Sequence, residues 1–379
     1  MFTNRSTRSK AALLALLLSM VPVILAATPL VRPAGAASLL SVQRTSSGLV
    51  TSDPLTTGDT SLWTFGGVAV DTGAPHQSSE DSSGLHLGVQ ALIGGQYYGY
   101  FAARGENAQL FHARLSLPSA TIPAAQNFNT GLYVQTGGSN VDYVTCAGGV
   151  NNQGYFWAVV QTIGNPNQAT QFNTLWFQWM NNQPLTRDCT IITNGSNFLQ
   201  VYLDGSLVYS SSSLNLGYQY PLTAFLEVES TDNISMHFST YTNYYATSSN
   251  LVTVTGALSG STAELVDASG RVLASGQVDG SGTAHLDVGM YPMPINAKVE
   301  VFLLGLMVAS TPSTVQVYGG DVYSVTTELG TTGNAPAGPY TSNPSLNGLI
   351  NSNVGQGISV NLGPGGGSSP PLCVLGICP

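Results

Sequence analysis

The sequence predicts an all-β protein that consists of a large and a small β-sandwich. Short runs in which apolar and polar residues alternate recur along most of the 379 residues, and Gly, Asn, Asp and Pro separate them. Such period-two runs, rich in aromatic and β-branched side chains, are typical of half-buried antiparallel strands. Between positions 39 and 247 no stretch has a sustained helical period with capping residues. The length corresponds to about two domains.

Residues 1–36 are predicted to be a secretory signal peptide. Basic residues precede an apolar segment at positions 11–27, and the sequence Ala-Gly-Ala that ends at Ala36 matches a cleavage site. An uncleaved signal anchor is the alternative, because the segment is close to the ~20 residues that a membrane span needs. The prolines in and after this segment favour cleavage. We therefore expect a secreted protein, extracellular or at the cell surface, with no membrane span after cleavage.

The composition excludes nucleic acid as a partner. Charged residues make up only 8% of the chain, against about 25% in an average soluble protein. Lys and Arg number 10 and Asp and Glu number 19, which gives a net charge of −9. A nucleic-acid-binding surface needs a cluster of basic residues that neutralise phosphates. Polar uncharged side chains must therefore cover most of the surface.

Residues 37–247 are predicted to form the large sandwich. Alternating runs such as positions 154–164 and 223–230 have the length and pattern of single strands. Asn194-Gly195 and Asp204-Gly205 lie where two-residue hairpin turns of type I′ are expected. About a dozen strands in this length correspond to one large sandwich.

Residues 251–329 are predicted to form the small sandwich, with about seven strands. Strand, glycine turn and strand repeat at a spacing of about ten residues from position 251 to 289, and further alternating runs follow. The segment 330–379 is rich in Gly, Pro, Ser and Asn and carries almost no charge. It is predicted to be a flexible, disordered tail.

The 4 cysteines of an exported chain predict disulfide bonds rather than a metal site. Two disulfides can be paired in about three ways. We favour Cys146–Cys189 within the large sandwich and Cys373–Cys378 in the tail. Neither pair has the C-x-x-C spacing that zinc sites use, and no histidine lies near in sequence.

The run NGSNFLQVYLDGSLVYSSSSLNLG at 194–217 resembles the signature hairpin of concanavalin A-like lectins and glucanases, particularly their laminin-G-like and jelly-roll relatives. In those families a strand, a turn at V-Y-L-D-G and a second strand follow one another. The resemblance covers roughly residues 39–247. It implies a jelly-roll sandwich, and partners among polysaccharides or the glycans of glycoproteins. It leaves the activity open, because this fold carries lectins, hydrolases, lyases and peptidases.

The small sandwich is similar to prealbumin-like and carboxypeptidase-regulatory domains that are appended to secreted proteins. The phrases V-D-A-S-G-R-V-L-A-S-G and V-D-G-S-G-T-A carry this resemblance. An immunoglobulin-like sandwich fits nearly as well. Neither alternative implies catalytic residues in this part of the chain.

The sequence Glu227-Val-Glu229-Ser-Thr-Asp232 resembles the E-x-D-x-x-E strand of laminarinase-type glucanases. The resemblance implies that Glu227 is a nucleophile, that Glu229 occupies the middle acidic position and that Asp232 is the acid/base. Positions i and i+2 of a strand share one face, and retaining glycosidases need two carboxyl groups about 5–5.5 Å apart. This sequence departs from the pattern, with Glu in the middle and Asp at the end. The alternative is two exposed glutamates and a turn aspartate.

A second enzymatic interpretation rests on glutamic peptidases of the same fold, which use a Gln and a Glu to activate water in acid. Gln161 and Glu229 resemble that pair in order along the chain. Other catalytic arrangements are not indicated, because the chain lacks the G-x-S-x-G nucleophile elbow.

Aromatic residues on the predicted strands are candidates for sugar binding. The candidate ligand-binding residues are Tyr97, Trp157, Trp176 and Trp179. Exposed rings stack on sugars, whereas the alternative is that alternate rings fill the sandwich core. Calcium is a further candidate ligand, since this fold often binds it through Asp and Asn oxygens. The nominees for such a site are Asp71, Asp142 and Asn151.

The sequence therefore favours a secreted carbohydrate-binding or cell-surface recognition protein that requires no cofactor. A laminarinase-type glycoside hydrolase and an acid glutamic-type peptidase are the alternatives. The arrangement of Gln161, Glu227, Glu229 and Asp232 in space distinguishes these three functions. A binding protein needs exposed rings, whereas each enzyme needs its own pair of facing side chains.

Overall fold

The structure is a computed structural model that describes residues 40–92, 95–102, 104–136, 142–165, 168–180, 185–217 and 220–327. The predicted all-β fold is confirmed, because these residues form 24 strands and one short helix. The predicted signal peptide, the tail and its Cys373 and Cys378 lie outside the described residues and stay predictions. Among the described residues, no helix combines the length and the apolar character that crossing a membrane requires.

The strands follow one another with short connections, as the spacing of turn residues predicts. In chain order the elements are β1 (Leu40–Ser46), β2 (Leu49–Asp53), β3 (Trp63–Gly66), α1 (Val68–Thr72), β4 (His76–Asp81), β5 (Gly84–Val89), β6 (Gln96–Ala102), β7 (Leu110–Ser116), β8 (Asn127–Thr136), β9 (Tyr143–Asn151), β10 (Gly154–Asn165), β11 (Gln168–Met180), β12 (Thr186–Thr193), β13 (Leu199–Leu203), β14 (Ser206–Ser211), β15 (Leu222–Ser230), β16 (His237–Thr247), β17 (Leu251–Thr255), β18 (Thr262–Asp267), β19 (Val272–Gln277), β20 (Ala284–Asp287), β21 (Ile295–Leu303), β22 (Leu306–Ser310), β23 (Val315–Val317) and β24 (Val322–Thr327).

Two antiparallel sheets form the large sandwich. The seven-stranded sheet has the order β11-β10-β9-β8-β15-β6-β3, and the eight-stranded sheet has the order β14-β13-β12-β7-β16-β5-β4 with β2 paired to β16. Apolar residues at every second position of these strands fill the space between the sheets. Leu132, Val159 and Trp157 come from the seven-stranded sheet, and Phe111 and Tyr241 from the eight-stranded sheet.

The predicted Cys146–Cys189 disulfide is confirmed. Cys146 lies on β9 and Cys189 on β12, so the bond joins the two sheets through the core, with a Cα–Cα distance of 6.0 Å. Both residues are buried, with exposed fractions of 2% and 0%. A cross-link in this position ties together sheet surfaces that are separated by 43 residues of chain.

One of the two predicted hairpin turns has the expected form. Asp204 and Gly205 connect β13 to β14 with φ of 50° and 73°, as a two-residue type I′ turn requires. Asn194 instead begins a longer connection between β12 and β13. Its Oδ1 accepts hydrogen bonds from the amides of Ser196, Asn197 and Phe198. The Asn194 side chain therefore takes the place of a backbone carbonyl as the hydrogen-bond acceptor for these three amides.

The strands of the C-terminal region form one further sheet, which has nine strands and includes β1. Its order is β19-β18-β21-β22-β1-β24-β17-β20, with β23 paired to β21. β1 runs parallel to β22 and antiparallel to β24. The predicted range 37–247 places this strand in the large sandwich, whereas its hydrogen bonds lie in the C-terminal sheet. The alternation of β1 predicts a strand but contains no information about its neighbours.

The C-terminal sheet packs on the large sandwich through an apolar contact. Leu110, Ile192 and Tyr245 of the eight-stranded sheet belong to the same buried cluster as Val252 and Val299. The Tyr245 hydroxyl also accepts a hydrogen bond of 3.1 Å from the Met293 amide. A shared core of this kind holds the two regions together, and both belong to the same compact unit.

Asp321 is expected to be important for the position of β1. Its carboxylate is fully buried and accepts hydrogen bonds from the Gly48 amide at 2.8 Å and the Tyr318 amide at 3.0 Å. Replacement by alanine leaves these amides without a partner, which costs about 1–3 kcal/mol for each buried donor. We expect Asp321→Ala to lower the midpoint of denaturant unfolding, and Asp279→Ala, at an exposed turn, to lower it much less. Equal effects of the two changes would contradict this role.

Candidate functional site

The candidate site lies on the outer face of the seven-stranded sheet, which is the face turned away from the sandwich core. In β15 the residues Leu222, Ala224, Leu226 and Val228 are buried in the core. The alternation of the strand therefore places Glu227 and Glu229 together on the outer face. The two carboxyl groups therefore lie on the same face of the strand, as the sequence predicts.

Glu229 belongs to a row of residues that crosses six neighbouring strands, which we call the aromatic row. Across β6, β15, β8, β9, β10 and β11 the register aligns Tyr97, Glu229, Asn129, Gly149, Phe156 and Trp179. Tyr97 and Trp179 at the two ends are 37% and 42% exposed. The row therefore has rings at its ends and a carboxyl and an amide group at its centre.

Glu227 lies in a second, parallel row that we call the small-residue row. The register aligns Glu227 with Gly66, Gly99, Gly131, Ala147, Ala158 and Phe177. A Cβ atom at Gly99 would lie 2.6 Å from the Leu226 carbonyl oxygen, so this glycine permits a close backbone approach next to Glu227. The side chain of Glu227 therefore stands among residues that have little or no side chain.

Stacked rings border the small-residue row on its other side. Tyr133 and Phe225 stack with a centroid distance of 4.5 Å, and Phe225 and Phe101 stack at 5.0 Å. The Tyr133 ring lies over Gly131, because a Cβ atom there would come within 2.6 Å of it. Its hydroxyl group forms a hydrogen bond with Glu227. The glycine thus provides the space that lets this tyrosine reach the carboxyl group.

Both glutamates have a raised pKa. Burial raises the pKa of Glu227 well above its ordinary value, the negative charge of Glu229 adds to this, and the hydrogen bond from Tyr133 partly opposes it. Burial also raises the pKa of Glu229, and a hydrogen bond with Asn129 opposes the shift. Two adjacent carboxyl groups of this kind hold a proton to higher pH than exposed ones. They can both donate and accept hydrogen bonds.

The predicted third carboxylate, Asp232, does not join this pair. It is 1% exposed and lies beyond the end of β15, where its Oδ2 receives a hydrogen bond of 2.7 Å from His237 Nε2. Its Oδ1 accepts bonds from the amides of Ile234 and Ser235. Burial alone would raise the pKa of Asp232, but these hydrogen bonds lower it. The assignment as acid/base is wrong, because a turn and His237 occupy the carboxylate.

The predicted pairing of Gln161 with Glu229 is also wrong. Gln161 lies opposite Val144 on the core side of the seven-stranded sheet, and its Nε2 donates a hydrogen bond of 3.0 Å to the Asn215 carbonyl. Glu229 points to the outer face of the same sheet. The two side chains are therefore separated by the sheet, and they cannot activate one water molecule together.

Two of the four predicted aromatic ligand-binding residues face the core. Trp157 is 1% exposed and belongs to the sandwich core, and Trp176 is paired with Val159 on the core face and packs against that cluster. Their assignment to ligand binding is wrong, because these rings fill the space between the sheets. Tyr97 and Trp179 lie on the outer face, where a ligand can reach them.

Sequence reasoning missed Phe156 and Phe177, which cluster with Trp179 on the outer face. Phe156 stacks on Phe177 at 5.3 Å and meets Trp179 edge-on at 5.6 Å. The signal was available in the alternation of β10, since Phe156 and Trp157 are adjacent and must face opposite sides. Only the position of the core decides which of the two is exposed.

Calcium binding stays a prediction. Asp142 and Asn151 lie at opposite ends of β9, and the Asn151 Oδ1 accepts a hydrogen bond of 2.8 Å from the Gln153 amide. Asp71 lies in α1. In the part of the chain that the structure describes, no group of three or more His, Cys, Asp or Glu side chains is arranged to hold a metal ion.

The chain is similar in structure to several carbohydrate-active proteins over about half its length. The LamA catalytic domain from Zobellia galactanivorans is 14% identical, with 52% of this chain and 97% of that chain covered and a TM-score of 0.36. The β-glucanase of Bacillus licheniformis is 11% identical, with coverages of 53% and 99% and a TM-score of 0.38. A Bacillus subtilis protein of unknown function with a galectin-like fold is 8% identical, with coverages of 55% and 98% and a TM-score of 0.36.

No protein-family model matches this chain, and no curated protein matches it. At identities and TM-scores this low, the structural similarity says nothing about the activity of this chain. The function has to be inferred from the residues on the outer face of the seven-stranded sheet.

Proposed function

We propose that the outer face of the seven-stranded sheet binds a glycan that runs across the strands. The observation that supports this proposal is the aromatic row, in which two exposed rings flank a central carboxyl and amide pair. Six neighbouring strands at a spacing of about 4.8 Å give the row a length of about 24 Å. Such a length suits an oligosaccharide segment better than a single sugar.

The residue types of the row suit a hydroxyl-rich ligand. Tyr97 and Trp179 present apolar ring faces on which the C–H faces of sugars can stack. Asn129 and Glu229 supply an amide and a carboxyl group for hydrogen bonds to hydroxyl groups. A few placed polar groups between apolar surfaces are the usual arrangement in ligand sites.

The proposal predicts that Trp179→Ala and Glu229→Gln weaken glycan binding. Loss of one ring-stacking contact or of one hydrogen bond costs about 1 kcal/mol, so we expect a decrease in affinity of about fivefold for each change. Isothermal titration with laminarin, mixed-linkage β-glucan and agarose oligosaccharides would measure it. Phe238→Ala is the matched control, since Phe238 is 39% exposed on the eight-stranded sheet. Equal affinity of wild type and Trp179→Ala for a bound glycan would contradict the proposal.

Glycoside hydrolysis is the second candidate function, and the adjacent Glu227 and Glu229 with raised pKa values favour it. A retaining hydrolase needs one carboxylate as nucleophile and one protonated carboxyl group as acid. Release of reducing ends from the same glucans distinguishes the two functions. A hydrolase would release them and lose this activity in Glu227→Gln while it still bound the glucan. A binding protein would release none.

A further inference from the structure

A second candidate site lies on the opposite side of the large sandwich. The outer face of the eight-stranded sheet carries a cavity of about 570 Å³ where segment 290–292 of the C-terminal region approaches it. β7 and β12 line it on one side, and the turn between β13 and β14 lines it on another. Ligand pockets commonly have volumes of about 300–1,000 Å³ and often lie where two domains meet.

A buried histidine forms part of this cavity. His112 is 2% exposed, its Nδ1 is 2.9 Å from Thr190 Oγ1, and its ring stacks on Tyr245 at 4.4 Å. Burial, together with the nearby charge of Arg114, lowers the pKa of His112 to about 3. The ring is therefore neutral at ordinary pH. Its Nε2 lies 3.7 Å from Asp188 Oδ1, which is longer than a hydrogen bond.

Each carboxylate that lines the cavity is paired with a guanidinium group, Asp188 with Arg114 and Asp204 with Arg187. Asp188 Oδ2 accepts a hydrogen bond of 3.0 Å from Arg114, and Asp204 Oδ1 accepts one of 2.8 Å from the Asp188 amide. Asp188, Asp204 and Arg114 all line the cavity. Because both guanidinium groups are already engaged by these carboxylates, the cavity offers little attraction to an anionic ligand.

The remaining lining groups can exchange hydrogen bonds with a neutral ligand. Thr186, Thr190 and Ser206 contribute hydroxyl groups, which both donate and accept. Met290 and Tyr291 contribute apolar surface on the opposite wall. Hydroxyl groups on one side and an apolar wall on the other match the two kinds of surface that a sugar ring presents.

We propose that this cavity is a second binding site, which takes a neutral hydroxyl-rich molecule the size of a monosaccharide or disaccharide. The site is independent of the aromatic row, because it lies on the other sheet and shares no residue with it. His112 and Asp188 offer hydrogen-bonding groups at its floor. Ser206 lines the cavity and is exposed.

Saturation-transfer NMR on the full chain tests the proposal. The probes are glucose, galactose, mannose and cellobiose, with glucuronic acid as the charged comparison, and the ring signals of His112 are followed in parallel. We expect saturation transfer to at least one neutral sugar, a shift of the His112 signals, and a weaker response to glucuronic acid. Ser206→Trp should abolish the shift of the His112 signals, and in a Trp179→Ala background, which removes binding at the aromatic row, it should also abolish the remaining saturation transfer. Ser210→Trp, at another exposed serine of β14, should leave them unchanged.

Three results would overturn the proposal. The first is the absence of transfer to all four neutral sugars, and the second is a shift of the His112 signals that Ser206→Trp leaves intact in a folded protein. The third is a shift of the His112 signals that Trp179→Ala abolishes, which would assign the binding to the aromatic row. A loss of binding at the aromatic row alone would leave this second site standing.

Discussion

Replacing Glu227 by glutamine is expected to raise the midpoint of thermal unfolding at pH 7 and to leave it nearly unchanged in strong acid. Glu227 is 8% exposed, and burial together with Glu229 holds its pKa well above the ordinary value. From about pH 4.3 upward to the folded pKa, the folded protein therefore binds more protons than the unfolded one. The free energy of unfolding falls as pH rises through that window. Each pKa unit of difference corresponds to about 1.4 kcal/mol.

Differential scanning calorimetry between pH 3 and pH 8 would measure this effect. Asp81→Asn is the control with the opposite sign, because hydrogen bonds from the side chain and amide of Ser83 lower the pKa of Asp81 to about 2. The Asp81 carboxylate stabilises the folded protein at pH values above the pKa that it has in the unfolded chain. This contribution is lost as the pH falls towards the pKa in the folded protein. A Glu227→Gln protein that is no more stable than wild type at pH 7 would contradict the expected destabilisation by the buried carboxyl group.

Removing the Cys146–Cys189 disulfide is expected to cost about 4 kcal/mol, which follows from the chain entropy of a closed loop of about 44 residues. Both cysteines are buried between the sheets, so the double change to alanine adds a loss of packing to this cost. The midpoint of guanidinium unfolding should fall accordingly. The bond joins β9 to β12, and after its loss side-chain packing and hydrogen bonds such as that from the Tyr241 hydroxyl to the Glu227 carbonyl hold the sheets together.

Wild type in the presence of reductant provides the matched comparison for this variant. It should unfold near the midpoint of Cys146→Ala/Cys189→Ala, because both chains lack the same cross-link. An unchanged midpoint in the variant would show that the cross-link contributes little, and the chain-entropy expectation would then be wrong. The catalytic and binding candidates on the outer face lie outside the core that this change affects.

Part of the candidate site follows from local alternation. Leu226 and Val228 alternate with Glu227 and Glu229, so the sequence predicts both carboxyl groups on one face without any knowledge of neighbouring strands. Asp232 lies beyond the regular strand, where the backbone turns and period two no longer applies. Its capture by His237 depends on the start of the next strand, β16. The predicted carboxylate triad failed for this reason.

The alignment of Tyr97 and Trp179 with Glu229 could not be predicted from the sequence. These residues are separated by up to 132 positions, and only the register of β6, β15, β8, β9, β10 and β11 brings them into one row. A shift of one residue in any pairing would turn the side chains of that strand to the other face. The sequence also does not show which face of β10 is turned to the core. For this reason it favours Trp157 as a ligand-binding residue, whereas Phe156 is the ring on the outer face.

The sequence by itself determined the all-β fold, the alternation of β15 and the Asp204-Gly205 turn, since each depends on neighbouring positions along the chain. The tertiary structure decided which face of each strand is the core, where β1 pairs and which rings remain exposed. These features depend on contacts between distant segments. Periodicity fixes the relative orientation of neighbouring side chains, whereas burial depends on which sheet covers them.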